Sequence, residues 1–550
     1  MKPLQILVIG GVAAGASFAA RARRLDESAH ITVIERGPDV SFANCGLPYH
    51  IGGEIPNRDV LAVQTPATLK SLLNLDVRTR CEAISIDRVG KRVLVRNLQN
   101  EQSEWLSYDK LMLAPGAAPV VPPLPGIEDP RIFTLRNLVD MDRIAAASEV
   151  GMRAVVVGGG FIGLEMAEQL HHKGLSVQLV QSNPHVLVQL DSKMAILLED
   201  ELVHNGIKLY LGDQITHFEG KDTVLHCHLA SGGTLDADFV VMSIGVRPET
   251  SLGRDADLQL GERGHFVVND FMQTSDPDIY AAGDAVETVD LVDGGKMAAA
   301  LGGPANRQGR VAADHIFMGK RARPYPGSLG TAIVRVFDMA AGCTGWTEER
   351  LKQSGRSYGT VTVNDYQHAS YYPGARPLTL KILWDEKSGT LLGAQAAGYD
   401  GVDKRLDVLA TAITARMNVE DLCHLELAYA PPFGSAKDIV NLAGFAATNQ
   451  RDGLVSCVYE LPTDADVQII DVRAKAIAGA SPVPGAINIP MPMLRDNLDK
   501  LDRNRPIVTI CALGKTSYFA ARVLVQHGFD VKSLVGGMKM NFSSRNPSKI

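Results

Sequence analysis

Apolar positions along this chain change period repeatedly. QILVI, from Gln5 to Ile9, is a short aliphatic run, ASFAARARRL spaces its apolar residues as a helix does, and ITVIE, ending at Glu35, is strand-like again. The same order returns in AVVV, LEMAEQLHHKG and SVQLV (residues 154–180), and strands alternate with a helix once more in DVQIIDVR, PIVTI and YFAARVLVQHG (residues 466–528). Such alternation predicts strand–helix–strand units and parallel sheets, an α/β class of fold. KLMLAPGAAP (residues 110–119) and DIYAAG (residues 278–283) add further strand-like runs.

The turns between these elements carry the first chemistry. Gly10, Gly11 and Gly15 separate the first strand from its helix, and Glu35 follows Gly15 by 20 residues. Glycines there let the backbone approach a pyrophosphate, the helix start supplies amide hydrogens, and an acid closing the next strand can bind ribose hydroxyls. Val12 replaces the middle glycine of the usual G-x-G-x-x-G. The second unit has the full set, Gly158, Gly160 and Gly163, but its closing residue is Gln181. An acid would favour NADH and a nearby arginine NADPH, so the choice between NADH and NADPH stays open.

TSDPDIYAAGDA leads into Asp284 and Ala285 and resembles the second FAD motif of flavoproteins with two dinucleotide folds; KLMLAPGAAP resembles their crossover strand. In that superfamily the aspartate binds the ribityl chain. SFANCGLPYHIGG then places Cys45 ten residues after Glu35, in the segment that, by the same resemblance, runs beneath the flavin in that superfamily. Dithiol reductases carry a second cysteine five positions away, whereas Val40 and His50 stand there in this chain. A lone cysteine must rest, when oxidised, as a sulfenic acid, a persulfide or a mixed disulfide. His50 is a candidate base, against a plain hydrogen-bonding role.

Through SFANCGLP, TLRNL, HASYYPGA and AYAPPFGSAKD, residues 1 to 447 resemble the coenzyme A disulfide reductases and the related NAD(P)H-dependent CoA-persulfide and polysulfide reductases. The resemblance implies FAD, a pyridine nucleotide and coenzyme A as participants. It also implies a homodimer in which Cys45 forms a mixed disulfide with CoA near paired tyrosines from the partner subunit. The matching tyrosines are Tyr371 and Tyr429, with Tyr372 as the substitute for the first; Arg24, Ser41 and Asn44 are candidates to line the CoA channel.

After AATNQRDGL (residues 446–454) the α/β pattern restarts. DVR, PGAINIP, the loop CALGKTS from Cys511 and the late VGGM stand in the order of the rhodanese family, which this segment resembles. A cysteine at a strand end, ringed by amides, suits a thiolate or persulfide anion. Lys515 stands where many rhodaneses have arginine, and the glutamate and histidine usual before PGA are missing. Persulfide carriage is expected; thiosulfate sulfurtransferase activity is left open.

The expected architecture is therefore an FAD domain in two parts (1–119 and 246–325), an NAD(P)H domain (120–245), an α+β dimerisation domain (326–447) and a rhodanese-like domain (455–550). Composition adjusts this little. At 550 residues several cores are required. A net charge of -7 argues for small-molecule partners over nucleic acid. The apolar N-terminus is broken by glycines and reads as a buried strand rather than a secretion signal, and no run suits a membrane span, so a cytoplasmic location is expected. Seven scattered cysteines without a C-x-x-C pair support neither a disulfide scaffold nor a metal site; Cys81, Cys227, Cys343, Cys423 and Cys457 read as structural. Beside the reductase stand two alternatives: an NADH oxidase or peroxidase using a Cys45 sulfenic acid, and a redox-sensing protein that acts through partners.

Overall fold

A computed structural model describes residues 2–464 and 466–541. Its contacts gather into two units, residues 1–183 with 207–330 and residues 184–206 with 331–550.

In the first unit, a parallel five-stranded sheet runs in the order Ile279–Ala281, Lys110–Leu113, Gln5–Ile9, His30–Glu35, Asp76–Thr79. The strand Gln5–Ile9 is central and Ile6, Leu7, Val8 and Ile9 are all buried, as its unbroken aliphatic run requires when helices cover both faces. The helix Ala13–Leu25 buries Phe18, Ala19 and Ala22 and packs on the helix Gly302–Met318. That approach depends on Gly309, where an added Cβ would lie 2.3 Å from the carbonyl oxygen of Ala14. A second parallel sheet has the order Lys208–Leu211, Ser176–Gln181, Arg153–Val157, Phe239–Met242, Ile132–Thr134. Both sheets thus place a glycine turn at the carboxyl end of a central strand, where open α/β sheets bind their ligands.

The second unit contains an antiparallel five-stranded sheet, Ala332–Val336, Met339–Gly345, Leu391–Gly398, Pro377–Asp385 and Tyr358–Tyr366 in spatial order. Every residue of Leu391–Gly398 is buried. Residues 184–206 join this unit through Asp191, whose carboxylate meets Lys381 Nζ at 2.7 Å and accepts from Gln395 Nε2 at 2.7 Å. Lys381 also pairs with Glu348. Burial pushes the Glu348 carboxyl up, but Lys381 outweighs it and holds the group below its ordinary value. The helix Ile439–Arg451, capped by Asp438, leads to a parallel sheet ordered Ser456–Val458, Val531–Leu534, Ile507–Ile510, Gln468–Asp471, Ile487–Asn488. The α/β class, with two dinucleotide folds, an α+β part and a C-terminal α/β part, matches the expectation.

Candidate functional site

The two glycine turns are built alike. Gly10 has φ +93°, and a Cβ there would lie 2.1 Å from the Ala114 oxygen; at Gly15 it would lie 1.9 Å from the Gly10 oxygen. Gly158 has φ +106° with a Cβ position 2.4 Å from the Ser243 oxygen, and at Gly163 the distance to the Gly158 oxygen is 1.8 Å. No side chain fits at these four positions. At Gly160 a Cβ would meet nothing within 4 Å, which explains why Val12 is tolerated at the matching place of the first turn. The Gly11 amide donates to Glu35 Oε2 at 2.9 Å, and the Gly159 amide donates to Gln181 Oε1 at 3.0 Å. Gln181 therefore does for the second turn what Glu35 does for the first, without the charge.

Asp284 follows the strand Ile279–Ala281, half-buried, with Ala285 buried beside it. Burial pushes its carboxyl up, opposed by Arg136, and among the described residues it has no hydrogen-bond partner. A half-buried acceptor left unpaired beside a glycine cradle fits the hydroxyl-bearing chain of FAD. Gly10, Gly11, Gly15, Glu35, Asp284 and Ala285 are the residues that would hold it.

Cys45 lies in the single 3-10 turn Asn44–Gly46, ahead of the helix Leu47–Ile51, and its side chain is exposed. The loop before it is pinned to the first glycine turn, since Ser41, in left-handed backbone at φ 49°, donates its amide to the Gly11 oxygen at 2.9 Å. Ala43 donates to the Leu61 oxygen at 2.9 Å, and Asn44 Nδ2 to the Arg136 oxygen at 3.4 Å. Partial burial, then the carboxylates of Glu165 and Asp284, push the Cys45 thiol above its ordinary value. The structure thus brings Cys45, Asp284 and the first glycine turn together. Arg24 is exposed on the last turn of the helix Ala13–Leu25. His50 has Nδ1 2.6 Å from the Ile55 oxygen, the plain hydrogen-bonding role. Glu165 was not singled out by the sequence; it lies in the second turn of the helix Phe161–His172, in a stretch that looks like any amphipathic face, and its oxygen accepts from Tyr49 at 3.1 Å.

In the second unit the hydroxyls of Tyr371 and Tyr429 are 3.1 Å apart on exposed side chains, and that bond holds the Tyr371 phenol above its ordinary value. Tyr372 instead packs edge-on against His368, with ring centroids 5.5 Å apart. Of the two neighbours it is Tyr371 that reaches Tyr429.

Cys511 directly follows the buried strand Ile507–Ile510 and is itself 3% exposed. The Gly514 amide donates to its Sγ at 3.1 Å, and Ser517 Oγ lies 3.5 Å away. The loop closes over the VGGM turn, because a Cβ on Gly537, at φ +63°, would lie 2.5 Å from the Gly514 nitrogen and 2.6 Å from the Cys511 oxygen. Arg473 grips Asp471 at 2.6 Å in a buried pair beneath it, and Lys515 is exposed at the start of the next helix. Burial pushes the Cys227 and Cys343 thiols up to about 12, which disfavours their thiolates. Among the described residues no group of His, Cys, Asp or Glu could hold a metal ion, and no helix is long and apolar enough to cross a membrane.

Comparison with known proteins agrees with this geometry. The pyridine nucleotide-disulphide oxidoreductase family matches residues 4–300, its dimerisation domain residues 331–439, and the rhodanese-like domain residues 454–540. A coenzyme A disulfide reductase of Staphylococcus haemolyticus is 36% identical over 446 residues, covering 80% of this chain and 99% of that protein. The crystal structure of reduced Bacillus anthracis CoADR-RHD superposes with TM-score 0.96 at 42% identity, covering 100% of this chain and 99% of that one. The NAD-dependent persulfide reductase from A. fulgidus does so with TM-score 0.93 at 39% identity, covering 98% and 100%. With two glycine turns of dinucleotide geometry and a single exposed cysteine beside the first, the chain belongs to the pyridine nucleotide-disulphide oxidoreductase family, as an FAD- and NAD(P)H-dependent enzyme with a C-terminal rhodanese-like domain.

Proposed function

We propose that this protein reduces coenzyme A persulfide, with CoA disulfide and polysulfide as related acceptors, through Cys45 as its redox-active cysteine. The observation that carries the reading is the lone exposed Cys45 on a loop hydrogen-bonded to the first glycine turn, in a chain that also presents Cys511 to an amide donor. FAD, which the first turn and Asp284 would hold, would supply the two-electron transfer from NADH or NADPH to the sulfur at Cys45. The Cys45 thiolate attacks one sulfur of the persulfide. Attack on the CoA-bound sulfur releases hydrosulfide and leaves a Cys45–CoA disulfide; attack on the terminal sulfur releases CoA thiolate and leaves a Cys45 persulfide. Two electrons then break the sulfur–sulfur bond of the adduct, returning the Cys45 thiolate and releasing CoA thiolate from the mixed disulfide or hydrosulfide from the persulfide. Glu165 and Asp284 oppose that thiolate, so a ligand that hydrogen-bonds Asp284 and spreads its charge favours the reactive form.

Gly158, Gly160, Gly163 and Gln181 would hold the pyridine nucleotide, and Arg24, Ser41 and Asn44 the CoA chain. Tyr371 and Tyr429, on the dimerisation part, would face the partner subunit's cysteine in a homodimer. Cys511 would receive or present the sulfane sulfur. We keep the domain divisions at 119, 245, 325 and 447, and a cytoplasmic location, where such small acceptors and free thiols persist. The test is anaerobic incubation with CoA persulfide followed by mass mapping. A CoA or sulfur adduct on Cys45 that vanishes on adding NAD(P)H supports the reading; modification of other cysteines alone overturns it.

A further inference from the structure

The sulfur of Cys511 stands at the end of a hydrogen-bond chain that runs from Lys539 through the antiparallel sheet of the same unit. Lys539 Nζ donates to Thr379 Oγ1 at 3.0 Å, and Thr379 Oγ1 donates to Asn364 Oδ1 at 2.7 Å. Asn364 Nδ2 donates to the Leu513 oxygen at 3.1 Å and to the Gly536 oxygen at 3.2 Å. Asn364 and Thr379 are cross-strand neighbours, paired between Tyr358–Tyr366 and Pro377–Asp385, and both are buried. The direction of the chain is forced. Two carbonyls face Nδ2, so that atom must be the amide nitrogen, and Thr379 must accept from the ammonium and donate to the amide oxygen.

The Leu513 oxygen and the Gly514 amide hydrogen belong to one peptide group. A trans peptide is planar and its C=O and N–H point in opposite directions. Asn364 therefore grips one side of the plane whose other side donates to Cys511 Sγ at 3.1 Å. Each bond in the series polarises the next in the same sense, with the positive end at Lys539 and the acceptor end at the sulfur. We propose that Asn364 is a positioning residue for the rhodanese-like site, which orients and polarises the 513–514 peptide so that its N–H stabilises anionic sulfur on Cys511, backed by Thr379 and the ammonium of Lys539.

Lys539 suits this role. It is half-buried, burial holds its ammonium below the ordinary lysine value, and among the described residues it has no carboxylate partner. A partly desolvated ammonium without a carboxylate is costly, and its bond to Thr379 Oγ1 offsets part of that cost while directing its field along the chain. The helix it stands on also donates amides to the loop, Lys539 N–H to the Ala512 oxygen at 3.0 Å and Met538 N–H to the Cys511 oxygen at 2.9 Å. Displacement of Asn364 would thus leave the loop in place and free one peptide plane to rotate.

The proposal rests on reading Cys511 as a sulfur carrier, but its test reports the thiolate itself and is separate from which sulfur compound is turned over. The full-length reduced protein is treated with iodoacetamide across a pH series, and Cys511 alkylation is followed by peptide mass. Asn364→Ala should slow alkylation at pH 7 by about tenfold and move the profile to higher pH. Thr379→Val should act in the same direction, Lys539→Met should slow it by about threefold, and Thr379→Ser, which keeps the hydroxyl, should stay near wild type. Superposable profiles for wild type, Asn364→Ala and Lys539→Met would overturn the proposal. So would an effect confined to Asn364→Ala, since that makes Asn364 local packing rather than the end of a polarised chain.

Discussion

Cys45 is opposed by two carboxylates and Cys511 is served by an amide, so these two thiols differ in what they need. For Cys45 the sign is definite. Its thiol is held up by partial burial, Glu165 and Asp284, so at neutral pH the thiol form is favoured and the thiolate grows in as pH rises through the raised value. Glu165→Gln removes one opposing charge and should speed Cys45 alkylation at pH 7 by about threefold. An unchanged or slower rate would show that Glu165 does not act on the sulfur. Cys45 itself was legible in the sequence because a lone cysteine in a glycine-flanked loop after a nucleotide unit has few other uses. Glu165 and Asn364 were not, because their partners lie far along the chain and neither residue sits in a motif.

At the scale of elements, glycines set what the loops can do. The strand–helix–strand pattern and its glycine turns were readable directly, because a strand period of two and a helix period of 3.6 leave different apolar spacings. Less readable was why Val12 is allowed, which the open space at Gly160 explains, and why VGGM follows the cysteine loop so late. The Gly536–Gly537 pair has left-handed backbone at both residues and lies against the 511–514 loop. Gly537→Ala should strain that loop by about 2 kcal/mol, read as a lowered thermal midpoint of the C-terminal domain together with lost sulfur loading of Cys511. Retention of both would contradict the packing described.

At the scale of the whole molecule, residues 184–206 stand in the sequence between two strands of the second nucleotide sheet, yet they group with the second unit, where the helix Ser192–His204 packs on strands of the antiparallel sheet. Lys381 helps tie them there, pairing in the interior with both Asp191 and Glu348. Sequence periodicity cannot show this, since a buried lysine in a strand looks like any polar break. Lys381→Met leaves two carboxylates facing each other and should destabilise the second unit by about 3 kcal/mol in urea titration at pH 7. The loss should shrink below the ordinary glutamate value, because a carboxyl held low in the fold contributes stability above that value and loses it as pH falls. An unchanged midpoint would contradict the network. The central claim, that electrons reach a sulfur acceptor through Cys45, is tested most directly by anaerobic stopped-flow absorbance of the FAD band. Protein reduced with NADH or NADPH is mixed with CoA persulfide, CoA disulfide, polysulfide or peroxide, as wild type and as Cys45→Ser. Reoxidation is expected to be fastest with CoA persulfide and lost in Cys45→Ser; faster reoxidation by peroxide, or reoxidation by persulfide without Cys45, would rule out passage of electrons to a sulfur acceptor through this cysteine.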